Sequence, residues 1–131
     1  MDLSLKITAF YAALLTLLLL GLSFNVIRLR LKLKVGIGDG KEKALAAAIR
    51  IHGNFIEYVP LAFILLACYE LNGADRLCLH ALGSMLFVGR ILHAVGLSKS
   101  IGTSVQRQLG MILTFLVLLV LSIENIRLFL Y

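Results

Sequence analysis

The sequence has little with which to make a water-soluble surface. Only 15% of its 131 residues are charged, 60% are hydrophobic, and mean hydropathy is +0.97. A soluble domain of this size cannot bury so much apolar surface, so the ordinary globular classes are excluded. Tryptophan is absent, and a single proline leaves the apolar runs almost free of helix breakers. Cysteine is scarce too. Cys68 and Cys78 flank a short turn where a disulfide is geometrically conceivable, but they read as two small apolar helix residues, since free cysteine is commonly buried. No metal-ligand spacing is present. Acids are few, 7 against 13 lysines and arginines, for a net charge of +6.

What is there is four apolar segments, at about 3–27, 44–71, 77–97 and 104–129. Each has the roughly 20 residues needed to cross a hydrocarbon core about 30 Å thick. They fill the chain, so 1–131 reads as one transmembrane domain. The first could pass for a signal peptide, but its apolar run is long and no small-residue cleavage site precedes the basic stretch 28–34, so it reads as a retained span. The connections are short: 30–43, a tight turn at Asn72-Gly73-Ala74-Asp75, and 97–103. Short loops dictate an up-down-up-down antiparallel four-helix bundle, an all-α membrane protein. Gly36-Ile37-Gly38-Asp39-Gly40 resembles a phosphate loop only superficially, because no strand precedes it and no Lys-Ser/Thr pair follows.

Charge distribution orients the bundle. Ten basic residues (Arg28, Arg30, Lys32, Lys34, Lys41, Lys43, Arg50, Arg90, Lys99 and Arg107) lie in or beside the first and third loops, against three (Lys6, Arg76, Arg127) at the other face. This bias puts the basic loops in the cytoplasm and both termini outside it. It also makes anionic headgroups, rather than nucleic acid, the natural partner of the charge.

Ionisable groups within a span cost about 2.5–3.5 kcal/mol near its centre, so they are paired or functional. On the second helix, Arg50, Asn54 and Glu57 (i, i+4, i+7) fall within a ~60° stripe, with Tyr58 beside it and His52 pointing elsewhere. On the third, Arg90 and His93 are i, i+3 neighbours. Gln106 and Arg107 open the fourth helix, and Arg28 and Arg30 end the first. At ~1.5 Å per residue, Arg50 and Arg90 each lie roughly 9 Å from the cytoplasmic end, and Glu57 about 20 Å. The polar groups therefore gather in the cytoplasmic half. A site with several arginines and one deep carboxylate suits an anionic ligand, and Asn54 and Glu57 add partners for an amide or ammonium. A zwitterionic peptide with more than one carboxylate meets both demands, with an apolar second ligand arriving from lipid. The competing reading is structural: Arg50 and Glu57 as an ion pair holding helices together, with Arg90 and Arg107 snorkelling to headgroups.

Arg50-x-His52-x-Asn54-x-x-Glu57-Tyr58-x-Pro60 resembles the signature of the MAPEG family, the membrane-associated proteins of eicosanoid and glutathione metabolism. Phe87-Val88-Gly89-Arg90-Ile91-Leu92-His93 resembles the third-helix segment of the family's prostaglandin synthase, and Ile27-Arg28-Leu29-Arg30 the end of the first helix. The whole chain is covered, most similar to small bacterial inner-membrane members. The resemblance implies a homotrimer holding glutathione, as co-substrate, between subunits near the cytoplasmic face. It carries over Arg50, Asn54, Glu57 and Tyr58 on helix two, with His52 of the same motif, Arg90 and His93 on helix three, and Arg28 or Arg30 on helix one as glutathione-binding residues. Arg107 is the catalytic candidate, the arginine that stabilises the glutathione thiolate for attack on a lipophilic electrophile or peroxide. Three positions depart from the pattern: His93 and Leu97 stand where the eicosanoid enzymes commonly have tyrosine, and Gly53 where the prostaglandin synthase has a second arginine. The function expected is therefore a glutathione-dependent transferase or peroxidase. The alternative is a non-catalytic glutathione-binding, lipid-binding or scaffold protein of the same family. A small multidrug-type transporter is disfavoured because the first helix carries no acid beyond Asp2.

Overall fold

The computed structural model describes residues 4–99 and 104–131. The expected helix start at residue 3 and most of the connection 97–103 lie outside the described residues. Four helices run antiparallel: α1 (Lys6–Leu33), α2 (Lys43–Leu71), α3 (Arg76–Lys99) and α4 (Val105–Leu130). All four are long and apolar enough to cross a membrane. Their bounds differ from the apolar segments chiefly in α1, which continues through Arg28, Arg30 and Lys32 before Lys34 adopts a left-handed conformation and ends it. Hydropathy marks where a span leaves the hydrocarbon; a helix ends where its carbonyls are capped. Here the amides of Lys34 and Val35 both turn back to the Arg30 carbonyl.

The connection from α1 to α2 carries left-handed residues at Gly38, Gly40 and Lys41. At Gly40 a Cβ would stand 2.7 Å from a methyl of Val35, so the turn excludes larger residues there by space as well as by φ. Three of the four helix starts are capped by side chains, and α2, beginning after Glu42, is not. Asp75 Oδ2 accepts the amides of Leu77 and Cys78 at the start of α3, and Ser104 Oγ accepts the Arg107 amide at the start of α4. α1 has no cap of its own. Its Ile7 and Thr8 amides donate to the two carboxylate oxygens of Glu70, at the far end of α2, at 2.9 and 2.7 Å.

The apolar core fills the half of the bundle nearer Lys6 and Tyr131, built from Leu15 on α1, Phe55, Val59, Ala62 and Leu66 on α2, Leu79, Leu82 and Leu86 on α3, and Val117 and Leu121 on α4. Cys68 and Cys78 are both exposed free thiols. They sit on helices as the sequence suggests, but face outward rather than into the core. Toward the other end, where the basic loops are, the interior turns polar.

Candidate functional site

The interior of the basic end is organised around Arg90, only 1% exposed. Its Nη2 donates to Asn54 Oδ1 at 2.6 Å and reaches His93 Nδ1 at 3.3 Å. A guanidinium can only donate, so Nδ1 of His93 is the acceptor and its ring proton sits on Nε2. The Met111 sulfur lies 3.9 Å from Nη1, and the guanidinium carbon stands 5.8 Å from the centre of the Phe55 ring. Arg90 Nε has no partner among the described residues. A buried cation with no carboxylate beside it is costly, and an amide oxygen with an aromatic face compensates in part. The nearby acid on α2, Glu57, is engaged elsewhere: its oxygens take Arg50 Nη1 at 2.8 Å and Nη2 at 3.5 Å.

Three glycines bring α4 against this cluster. A Cβ on Gly110 would lie 2.5 Å from the Gly89 carbonyl oxygen and 2.6 Å from the His93 amide. One on Gly96 would lie 2.5 Å from the Arg107 amide. The α3 and α4 backbones therefore touch, as small residues permit between membrane helices. The Arg107 backbone sits against Gly96, one turn beyond His93. Its side chain heads an apolar groove of about 360 Å³ formed with Gln108, Met111, Ile112 and Phe115. Tyr58 packs edge-on against Phe115, with ring centres 5.4 Å apart, tying α2 to the same groove.

The remaining candidates lie apart from the buried cluster. Arg50 and Glu57 form an exposed pair on the open flank of α2, their side chains 57% and 47% exposed. Arg50, Arg30, Asp39 and Gly53 border a second, open groove of about 540 Å³ between the α1–α2 connection and α2. Arg30 Nη1 also donates to the Val35 and Gly38 carbonyls, so it orders the connection. Arg28 bonds Asn25 on its own helix. His52 turns to α1, Nε2 lying 3.0 Å from Ser23 Oγ. The ten candidates thus divide into a buried set (Asn54, Arg90, His93), the Arg107 groove with Tyr58, a flank set (Arg50, Glu57, Arg30), and two residues, Arg28 and His52, with local partners.

A family model, the MAPEG family, matches residues 8–127, nearly the whole chain. The chain belongs to the MAPEG family. It is also 40% identical over 120 residues, 92% of this chain and 90% of the relative, to the inner membrane protein YecN of Escherichia coli strain K12. The same protein of E. coli O6:H1 matches equally. Family membership accords with the four-helix architecture and the α2 motif. The structure adds to that motif several residues the sequence reading did not single out. Phe55 and Met111 line the Arg90 guanidinium, and Gly96 and Gly110 set the distance between α3 and α4. Gly89, Gly96 and Gly110 carry a detectable signal, since small residues seven apart on one span and a third on the next mark a close crossing. Met111 and Phe55 carry none, being indistinguishable by sequence from other core residues.

Proposed function

We propose that this MAPEG protein is a glutathione-dependent transferase or peroxidase acting on lipophilic electrophiles at the basic end of the bundle. The observation that carries this reading is the Gly96–Arg107 contact. It sets a cation at the mouth of an apolar groove open along α4, one turn from His93 and about two from Arg90. The Arg107 guanidinium would lower the pKa of a thiol held beside it and raise the thiolate fraction. Met111, Ile112 and Phe115 would hold an apolar co-substrate entering from lipid. Arg30 and Arg50 would take carboxylates along the flank groove, while Glu57, already on Arg50, would orient that arginine. Arg90, closed over by Asn54, would act from behind the site as fixed positive charge and hold α2 in register.

Two further expectations belong to the same reading. An exposed Arg50–Glu57 pair within a membrane span calls for a polar neighbour, which supports self-association, as a homotrimer, with the flank covered by another subunit. The ten-to-three bias of basic residues supports a bacterial inner membrane location with both termini outside the cytoplasm.

The test is conjugation of 1-chloro-2,4-dinitrobenzene by the purified protein, with Arg107→Ala beside it. Turnover in the wild type that falls at least tenfold in the variant supports the reading; equal rates remove Arg107 from the mechanism. The second reading, a non-catalytic glutathione- or lipid-binding protein, is favoured by one observation. Arg50 and Arg90 already have partners within the chain, on Glu57 and Asn54. Glutathione that raises the melting temperature by mass action without turnover selects it.

A further inference from the structure

The opposite end of the bundle holds a separate polar cavity of about 400 Å³, bordered by Lys6, Glu70, Arg76 and His80 along with Ser4 and Leu79. Lys6 opens α1 and Arg76 opens α3, so two parallel helices bring a cation to the same place. His80 follows Arg76 by four residues and lies on the same helix face. Two acids stand nearby, and neither pairs with these cations. Both Glu70 oxygens are taken by the Ile7 and Thr8 amides, and Asp75 Oδ2 by the amides of Leu77 and Cys78. The ion pairs among the described residues are Arg50–Glu57 and Arg127–Glu124. The acids thus direct their charge at helix N-termini, where it is favourable; Glu70 also borders the cavity, but neither Lys6 nor Arg76 lies within ion-pair distance of a described acid.

His80 is held in place. Tyr11 Oη lies 3.1 Å from its Nδ1, donates to its carbonyl and lies 2.8 Å from Ser84 Oγ. The Tyr11 ring packs over Gly83 so closely that no Cβ would fit there. This fixes the imidazole through Nδ1 and leaves Nε2 for another partner. Below Lys6 by one helical turn, Phe10 is exposed and offers an apolar surface to an acyl chain.

We propose that this cavity binds a phosphate oxyanion, held by Lys6 and Arg76 beside the imidazole of His80. The phosphate of an anionic lipid headgroup and free inorganic phosphate share that chemistry. The site is separate from the glutathione reading and independent of it.

The experiment is thermal unfolding of the purified full-length protein in a phosphate-free maltoside detergent. Phosphatidylglycerol, dioleoylglycerol (the same tails without phosphate) and inorganic phosphate are each added in turn. Phosphatidylglycerol at about a hundredfold excess over its Kd raises the melting temperature by on the order of 5 °C, and dioleoylglycerol does not. Stabilisation by phosphatidylglycerol alone identifies a lipid headgroup; stabilisation by millimolar phosphate as well identifies a free-anion site. In Lys6→Gln/Arg76→Gln the shift is lost, whereas Lys32→Gln/Lys34→Gln at the far end retains it. Arg76→Gln alone, at an exposed position, halves the shift or more and covers the case in which the double variant fails to fold. An undiminished shift in Arg76→Gln, a loss in the far-end variant, or no stabilisation by either phosphate compound overturns the proposal.

Discussion

The two ends of this bundle treat charge in opposite ways. At the end bearing Lys6 and Tyr131, each acid is joined to a donor: Glu70 to two α1 amides, Asp75 to two α3 amides, and Glu124 to Arg127 at 2.7 and 3.0 Å. At the basic end, the most buried cation has an amide for a partner and the available carboxylate is committed on the flank. The first arrangement stabilises helix ends. The second keeps positive charge inside a membrane span with one nitrogen unpaired, a state that structure alone does not require and that an anionic ligand would relieve. The contrast separates an end whose acids cap helices from an end whose buried cation is left with an amide partner.

Substitutions at four positions break or sharpen that contrast, in descending order of expected effect on stability. Asn54→Leu removes the only side-chain oxygen bonded to Arg90 among the described residues and strands the cation, destabilising by about 3–5 kcal/mol. Asn54→Asp supplies a counter-charge and does not. Both are read by denaturant unfolding in micelles, and a mild Asn54→Leu would erase the distinction between the ends. Gly110→Leu forces α4 off Gly89 and His93, costing about 1–3 kcal/mol. It also moves Arg107 from its place, so glutathione-dependent stabilisation falls with it. Glu70→Gln weakens the cap on α1 by about 1 kcal/mol. Hydrogen exchange at Ile7 and Thr8 quickens while the Arg90 region is unaffected. Last, Arg50→Ala leaves the buried core untouched yet weakens glutathione binding at least fivefold by calorimetry. Unchanged binding would assign the flank pair to the architecture alone.

Much of this was legible in the sequence. Four spans, antiparallel topology and the concentration of polar groups toward the basic loops all follow from hydropathy, loop length and helix rise. The polar residues themselves stand out because ionisable groups in a span are rare. Their partners do not. A stripe of ~60° on α2 is wide enough to straddle the border between a packed face and an open flank. Asn54 therefore falls inside, against α3, while Arg50 and Glu57, on the same stripe, stay outside and close on each other. Periodicity fixes the angle of each residue but not where the neighbouring helix lies. The pairing of Arg107 with Gly96 was likewise hidden, because periodicity along a helix does not give its register against the next one. The α1 boundary was missed for a different reason: Arg28, Arg30 and Lys32 end the apolar stretch but favour helix, and only the turn at Lys34 stops it.

The cap that Glu70 places on α1 also orders events in time. Ile7 and Glu70 are separated by 63 positions in the chain, so α1 leaves the ribosome with its first amides unsatisfied and keeps them so until the end of α2 has been made. An amide exposed to hydrocarbon is costly. The first hairpin therefore gains its last polar closure only when the second span is threaded to its full depth. A second span inserted one turn short would leave Glu70 about 5 Å from its mark. The pairing thus ties the register of the first hairpin to the depth at which both of its spans sit.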